Sequence, residues 1–234
     1  MENRMYDTYE NTVAQYGDFE IPIPTYEVDN KIDFSVIVAI LLRSNVKTKE
    51  DNYRYINYNR LNKDAICKEC DISRTTLDRR LKCLQEENII TLEQTSKGYV
   101  YIIRHSKDNR YFVSVQHRLL KNILKYTNKD AMKVYILLKI QIELLGNKRP
   151  MTNAYIASQM GLDPSSEIVL SNVSSWTNAL ANNGFIEKEH HIVYEKIEEG
   201  KIIIERVDTT YELNDLDTWK KKKDKGVLKT SNRR

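Results

Sequence analysis

The sequence predicts a mainly α-helical chain with small β-hairpin wings (α+β), arranged as two winged helix–turn–helix domains in tandem. Three observations predict it. The stretch Leu61–Arg104 reads as helix, sharp turn, helix and a two-stranded ribbon with a glycine at its tip. Residues Ile156–Val207 repeat its apolar pattern, and a long amphipathic segment, Asn128–Leu145, stands between the copies. Glycine and proline, 7 and 4 in 234 residues, are too scarce for an all-β sandwich rich in tight turns.

Residues 1–29 are polar and tyrosine-dotted, and Pro22 and Pro24 cannot lie inside a helix, so an irregular arm with an edge strand at Phe19–Ile23 is expected. Asp33 can cap the run DFSVIVAILLRS, Asp33–Ser44, and a helix apolar nearly all round belongs in a core. Asn45–Arg60 reads as a polar connection: either a solvated loop or a loop beside nucleic acid whose Lys and Arg meet phosphate.

In the first copy Ile66, Cys67 and Cys70 mark one side of a helix that stops at Asp71. Ser73 is a good N-cap for the next helix, because its hydroxyl can accept an orphan N–H of the first turn. That second helix has Leu77, Leu81 and Leu84 inward, with Arg74, Thr75, Asp78, Arg79 and Lys82 on the opposite face. Its ribbon is Ile89–Gln94, a turn at Thr95–Gly98, then Tyr99–Arg104. A polar turn at Ser106–Arg110 and a strand at Tyr111–Val115 precede the helix His117–Tyr126, and Gly146 ends the long helix that follows.

The repeat is legible position by position. Ile156, Ala157, Met160, Gly161 and Leu162 correspond to Ile66, Cys67, Cys70, Asp71 and Ile72; Val173, Thr177, Leu180, Gly184 and Ile186 correspond to Leu77, Leu81, Leu84, Asn88 and Ile90. The change of offset places an insertion within Asp163–Leu170. A second hairpin is expected at His191–Lys196 and Lys201–Val207. The chain thus divides into an arm (1–29), a first winged helix (30–115), a second (116–214) and a basic tail (215–234), whose Lys220–Lys223 run reads as disordered.

Composition bounds the function. The chain is 41% hydrophobic and 30% charged, as ordinary globular proteins are. The longest apolar run, Val36–Leu42, is far shorter than the roughly 20 residues of a membrane span. The first residues, MENRMYDTYEN, lack a signal-like apolar core, and an odd number of cysteines, 3, is no disulfide framework; a cytoplasmic location is expected. Net charge is +4, but Asp215–Arg234 alone carries +5, so attraction to DNA in the rest must come from local patches.

Cys67 and Cys70, with Cys83 and His105, invite a zinc site. The repeat argues otherwise, since Ala157 and Met160 stand at the positions of Cys67 and Cys70. His190 and His191 are adjacent, so in a strand they face opposite ways and cannot clasp one metal. No phosphate loop or dinucleotide fingerprint is present. No enzyme, metal or cofactor is expected.

A helix with leucines inside and arginine, lysine and threonine outside suits a DNA major groove. Arg74 and Arg79 are the expected base contacts, with Ser73, Thr75, Thr76, Lys82 and the wing residue Lys97 positioning the backbone and Asp78 on the same face. The second copy offers Ser171, Asn172, Ser174, Ser175 and Asn178, polar but uncharged, either for weaker DNA binding or for a partner. Lys201 and Lys220, Lys221, Lys222 and Lys223 complete the set of expected DNA contacts.

Over Ile32–Leu213 this pattern resembles plasmid and phage replication initiators built from tandem winged-helix domains, and SRTTLDRRLKCLQEENII resembles the recognition helix of many winged-helix regulators. The resemblance implies a sequence-specific double-stranded DNA-binding protein that grips repeated origin sites and engages host replication proteins. The alternative is a transcription or conjugation regulator binding a palindromic operator as a homodimer; a third reading is a protein-only adaptor. Arg74 and Arg79 have no arginine counterparts in the second copy.

Overall fold

The computed structural model describes residues 20–24, 33–44, 53–58, 61–95, 98–104, 112–145, 149–198 and 201–226. In chain order the elements are β1 (Glu20–Pro24), α1 (Phe34–Leu41), β2 (Tyr53–Asn57), α2 (Lys63–Cys70), α3 (Arg74–Glu86), β3 (Ile90–Thr95), β4 (Gly98–Arg104) and β5 (Phe112–Gln116). Then follow α4 (His117–Tyr126), α5 (Lys129–Leu145), β6 (Arg149–Pro150), α6 (Asn153–Gln159), α7 (Glu167–Asn182), β7 (Ile186–Glu198), β8 (Lys201–Leu213) and α8 (Leu216–Asp224). The chain is mainly α-helical with small antiparallel sheets.

The order α1–β2–α2–α3–β3–β4 recurs as α5–β6–α6–α7–β7–β8. The sheets repeat as well: β4 runs between β2 and β3, and β8 runs between β6 and β7. Register fixes both, with Tyr55 and Thr91 each opposite Ile102, and Arg149 and Lys188 each opposite Tyr211. A separate two-stranded ribbon pairs β1 with β5, setting Ile21 against Val115 and Ile23 against Val113, all buried.

The helix ends repeat down to their hydrogen bonds. After α2 and α6, Asp71 (φ 54) and Gly161 (φ 71) turn left-handed, so the next N–H, from Ile72 or Leu162, donates back to Cys67 O at 3.0 Å or Ala157 O at 2.9 Å. After α3 and α7, Asn88 (φ 56) and Gly184 (φ 72) do the same, and Ile89 and Phe185 donate to Leu84 O and Leu180 O at 2.9 and 3.0 Å. Each closure satisfies a carbonyl that the helix leaves orphaned and sends the chain straight into the next element.

Helix α1 is buried along its whole length, as its apolar sequence requires, and packs against α2, α4 and α5. The buried face of α5, Ala131–Leu138, continues the same core, which runs as one cluster from Ile21 to Trp219. Next to α1 lies His117, 3% exposed, with Nε2 3.4 Å from Leu42 O. Burial, reinforced by the charges of Lys121, Arg54 and Arg118 against the bond to Leu42, lowers its pKa from 6.5 to about 4. A histidine held neutral in the fold but free to protonate when unfolded leaves stability intact above pH 6.5 and removes it as pH falls towards 4. At pH 4.5 the loss amounts to about 2–3 kcal/mol. Urea unfolding at pH 7 and pH 4.5 checks it: His117→Gln should flatten the dependence by about that amount, and an unchanged dependence would contradict the assignment.

Three expectations are corrected. The polar connection Asn45–Arg60 contains β2, and Arg54 is turned inward: it is 5% exposed, its guanidinium donating to Ser44 Oγ and Ser44 O at 2.7 and 2.8 Å. The second hairpin extends well beyond His191–Lys196 and Lys201–Val207, because pairing begins at its base with Ile186 opposite Leu213 and runs through Glu187–His190 against Thr209–Glu212 before it reaches the expected segment. Lys220–Lys223 are not disordered. They belong to α8, which Asp215 caps by accepting from Thr218 N at 2.7 Å and which buries Leu216 and Trp219.

Candidate nucleic-acid interface

Helix α3 begins where the sequence places it. Ser73 Oγ accepts from Thr76 N at 3.2 Å and lies 2.9 Å from Thr76 Oγ1, so the two hydroxyls are first of all capping groups. Leu77, Leu81 and Leu84 are buried beneath the helix. Diametrically opposite them, at 100° per residue, runs the stripe Thr75, Arg79, Lys82 and Glu86, all exposed. Lys82 is 76% exposed and reaches Glu86 at only 3.7 Å, a loose surface pair.

The flanks of α3 are tied to its neighbours. On one side Arg74 Nη1 donates to Asp64 Oδ1 at 2.7 Å, and Lys63 Nζ donates to Asp78 Oδ1 at 2.7 Å. Both pairs bridge α3 to α2 at the surface, with the Asp64 side chain 92% exposed, and contribute at most about 1 kcal/mol each. Lys63 also lies 5.6 Å above the Tyr58 ring, which stacks on Tyr101 of the ribbon. On the other side Arg80, absent from the sequence-based set, forms an ion pair with Asp33. Asp33 is itself the N-cap of α1, accepting from Ser35 N at 3.0 Å, and its side chain is only 2% exposed.

Helix α7 presents Ser171, Asn172 and Ser175 to solvent, while Ser174 is half-buried. Asn178 is exposed but engaged: Lys188 of β7 donates to its Oδ1 at 3.0 Å and to Thr177 Oγ1 at 3.2 Å. The second copy therefore does carry a cation beside its outer stripe, delivered from the hairpin rather than from the helix. The insertion foreseen in Asp163–Leu170 divides in two. Part lengthens the turn, and part extends α7 at its N-terminus, where Ile168 is 75% exposed.

Arg80 and Trp176 occupy equivalent positions in the two copies, and both line one cavity of about 550 Å³. Arg79 reaches it from α3, and Lys129, Asp130 and Lys133 from the first turns of α5. Equivalent sides of α3 and α7 thus face a common space. Burial lowers the pKa of Arg80, with the Asp130 and Cys83 charges opposing that shift.

The remaining residues of the expected set are spread out. Lys97 lies outside the described residues; Gly98 and Tyr99 next to it are exposed. Lys201 opens β8, far along the sequence from α7. In α8, Lys222 donates to Glu187 Oε1 at 2.6 Å, Lys223 lies 5.2 Å above Trp219, and Lys220 is 3.6 Å from Asp217. The three cysteines are half-buried and form no disulfide, and Cys70 Sγ donates to Ser35 O at 3.5 Å. Among the described residues no cluster of His, Cys, Asp and Glu is placed to hold a metal, and no helix is long and apolar enough to cross a membrane. No protein-family model matches the chain, and no curated protein matches it in sequence.

Proposed function

We propose that the chain is a sequence-specific double-stranded DNA-binding protein built from two winged helices, residues 30–115 and 116–214, with α3 and α7 as its groove-reading helices. The observation that carries this reading is the repeated order of helices and strands, with equivalent sides of α3 and α7 turned to one cavity. Two such helices held in one molecule by a continuous core suit two neighbouring stretches of a single duplex. That favours a replication initiator on repeated origin sites, acting without cofactor or catalysis, over a regulator that needs a second copy to complete a palindrome.

Arg79 is the central reading residue on this view, since it stands exposed in the middle of the α3 stripe. Arg74 and Asp78 are engaged by Asp64 and Lys63. DNA fragments selected by the protein from its parent genome or plasmid and then footprinted test the proposal. Sites repeated in direct orientation, each covered by one copy across two adjacent segments, are expected; an inverted repeat bound by two copies would favour the regulator, and no protection at all would refute DNA binding. Arg79→Ala should weaken the selected site by about 1–3 kcal/mol and relax base preference within one segment.

A further inference from the structure

The cavity between α3 and the start of α5 has a composition that the reading helices alone do not explain. Four cations border it, Arg79, Arg80, Lys129 and Lys133, against two carboxylates, Asp33 and Asp130. Asp33 is already engaged by Arg80. Lys129 is 3.7 Å from Asp130 with its side chain 53% exposed, a pair loose enough to open towards another anion. Lys133 lies deeper, 5% exposed. The flat, half-buried ring of Trp176 forms a further wall.

Position adds to chemistry. Arg79 belongs both to the outward stripe of α3 and to the cavity lining, so the mouth opens on the surface that carries the stripe. Trp176 is the chain neighbour of Ser175, on the outward stripe of α7. When two helices enter successive major grooves from one side of B-form DNA, the duplex presents its minor groove, edged by phosphates, to the protein between them. A volume of about 550 Å³ is within the range of ligand pockets and exceeds what a lone ion needs.

We propose that this cavity receives the sugar–phosphate backbone of the duplex between the segments read by α3 and α7, with Lys129 at its mouth as a phosphate-binding residue and Lys133 supplying positive potential behind it. The inference rests on the DNA-binding reading above. It assigns to α5, a linking helix in the sequence pattern, a direct part in holding the duplex, and it makes that contact blind to base identity.

Lys129→Gln is the test, because its side chain is exposed and the fold does not depend on it. Binding to the selected site and to unrelated duplex should weaken by the same factor, about 3- to 10-fold at 0.1 M salt, and the slope of log affinity against log salt should fall by about one. Neutral methylphosphonates at the central phosphates, between the two footprinted segments, should weaken the wild type and affect Lys129→Gln much less. An unchanged salt slope in Lys129→Gln, or central methylphosphonates that the wild type tolerates, would overturn the assignment while leaving DNA binding intact. A wild type that binds no duplex would take both readings down together. Free phosphate compounds are the competing source of the same chemistry. Saturable quenching of tryptophan emission by micromolar ATP or inorganic phosphate would reassign the cavity to a small molecule and overturn the duplex proposal.

Discussion

Trp219→Ala is expected to cost about 3–5 kcal/mol, the range for removing a buried large aromatic ring, and to lower the melting temperature by roughly 10 °C in a chain of this size. The ring is 4% exposed, lies parallel to Phe185 at 5.9 Å between centroids, and meets Tyr126 at 6.4 Å. Its Nε1 donates to Asn183 O at 2.9 Å, supplying a partner for a carbonyl at the C-terminus of α7. Leu216 N donating to Gln116 Oε1 at 3.0 Å and Asn214 Nδ2 donating to Gly184 O at 2.9 Å fasten the same corner. Trp219→Phe keeps the stack and loses only the N–H, so it should cost about 1 kcal/mol. Calorimetry distinguishes the two substitutions. Equal and negligible effects would mean that α8 comes away without disturbing α7. Because the lysines of α8 share a helix with Trp219, deleting residues from Lys220 onward would cut a folded element, and charge is better removed by replacing Lys220 and Lys221 with glutamine.

Arg80→Ala should cost about 3 kcal/mol, since it strands the Asp33 carboxylate in the core without its counter-charge. Asp33 is 2% exposed and is held by the backbone it caps, so water reaches it only through the cavity it borders. Asparagine caps a helix about as well as aspartate and carries no charge. Asp33→Asn should therefore restore most of the stability when added to Arg80→Ala, although on its own it leaves the guanidinium with only the Asp130 carboxylate nearby. A denaturant-melt double-mutant cycle measures the coupling directly. If Arg80→Ala unfolds at the wild-type midpoint, the pair is not what positions α1 against α3.

The parts of this fold that the sequence makes legible are those whose information is local. Helix α1 announces itself by an unbroken apolar run behind an aspartate, and α3 by Ser73 followed by leucines on one face. The repeat is legible because it rests on core positions, and the left-handed residues Asp71, Asn88, Gly161 and Gly184 confirm that correspondence stereochemically. What escapes is what distant partners decide. Tyr53–Asn57 pairs with β4, and although its tyrosines and isoleucine favour strand, five residues between polar flanks are too short a signal to outweigh a loop. The base of the second hairpin escapes because Glu187–His190 is a run of charged and polar residues without strand-like alternation, and its pairing with Thr209–Glu212 is decided by the distant strand. In α8 the lysine run outweighs the two signals that were present, the Asp215 cap and the Leu216/Trp219 pair three residues apart. For the candidate site, the stripe Thr75, Arg79 and Lys82 is a matter of helical geometry and was open to view. The ties that hold Arg74, Asp78, Arg80 and Asn178 run to Asp64, Lys63, Asp33 and Lys188, and three of those four partners lie on other helices or caps while the fourth comes from a strand.

The exchange of Arg80 for Trp176 at matching positions has a directional consequence. Matching halves would let a duplex be met equally well from either end. One half instead carries a buried ion pair and an arginine stripe, the other an indole and a stripe of serines and asparagines. The molecule therefore has a front and a back. On the DNA-binding reading proposed above, each site must then be asymmetric as well, and a row of such sites repeated in one direction would seat every copy the same way.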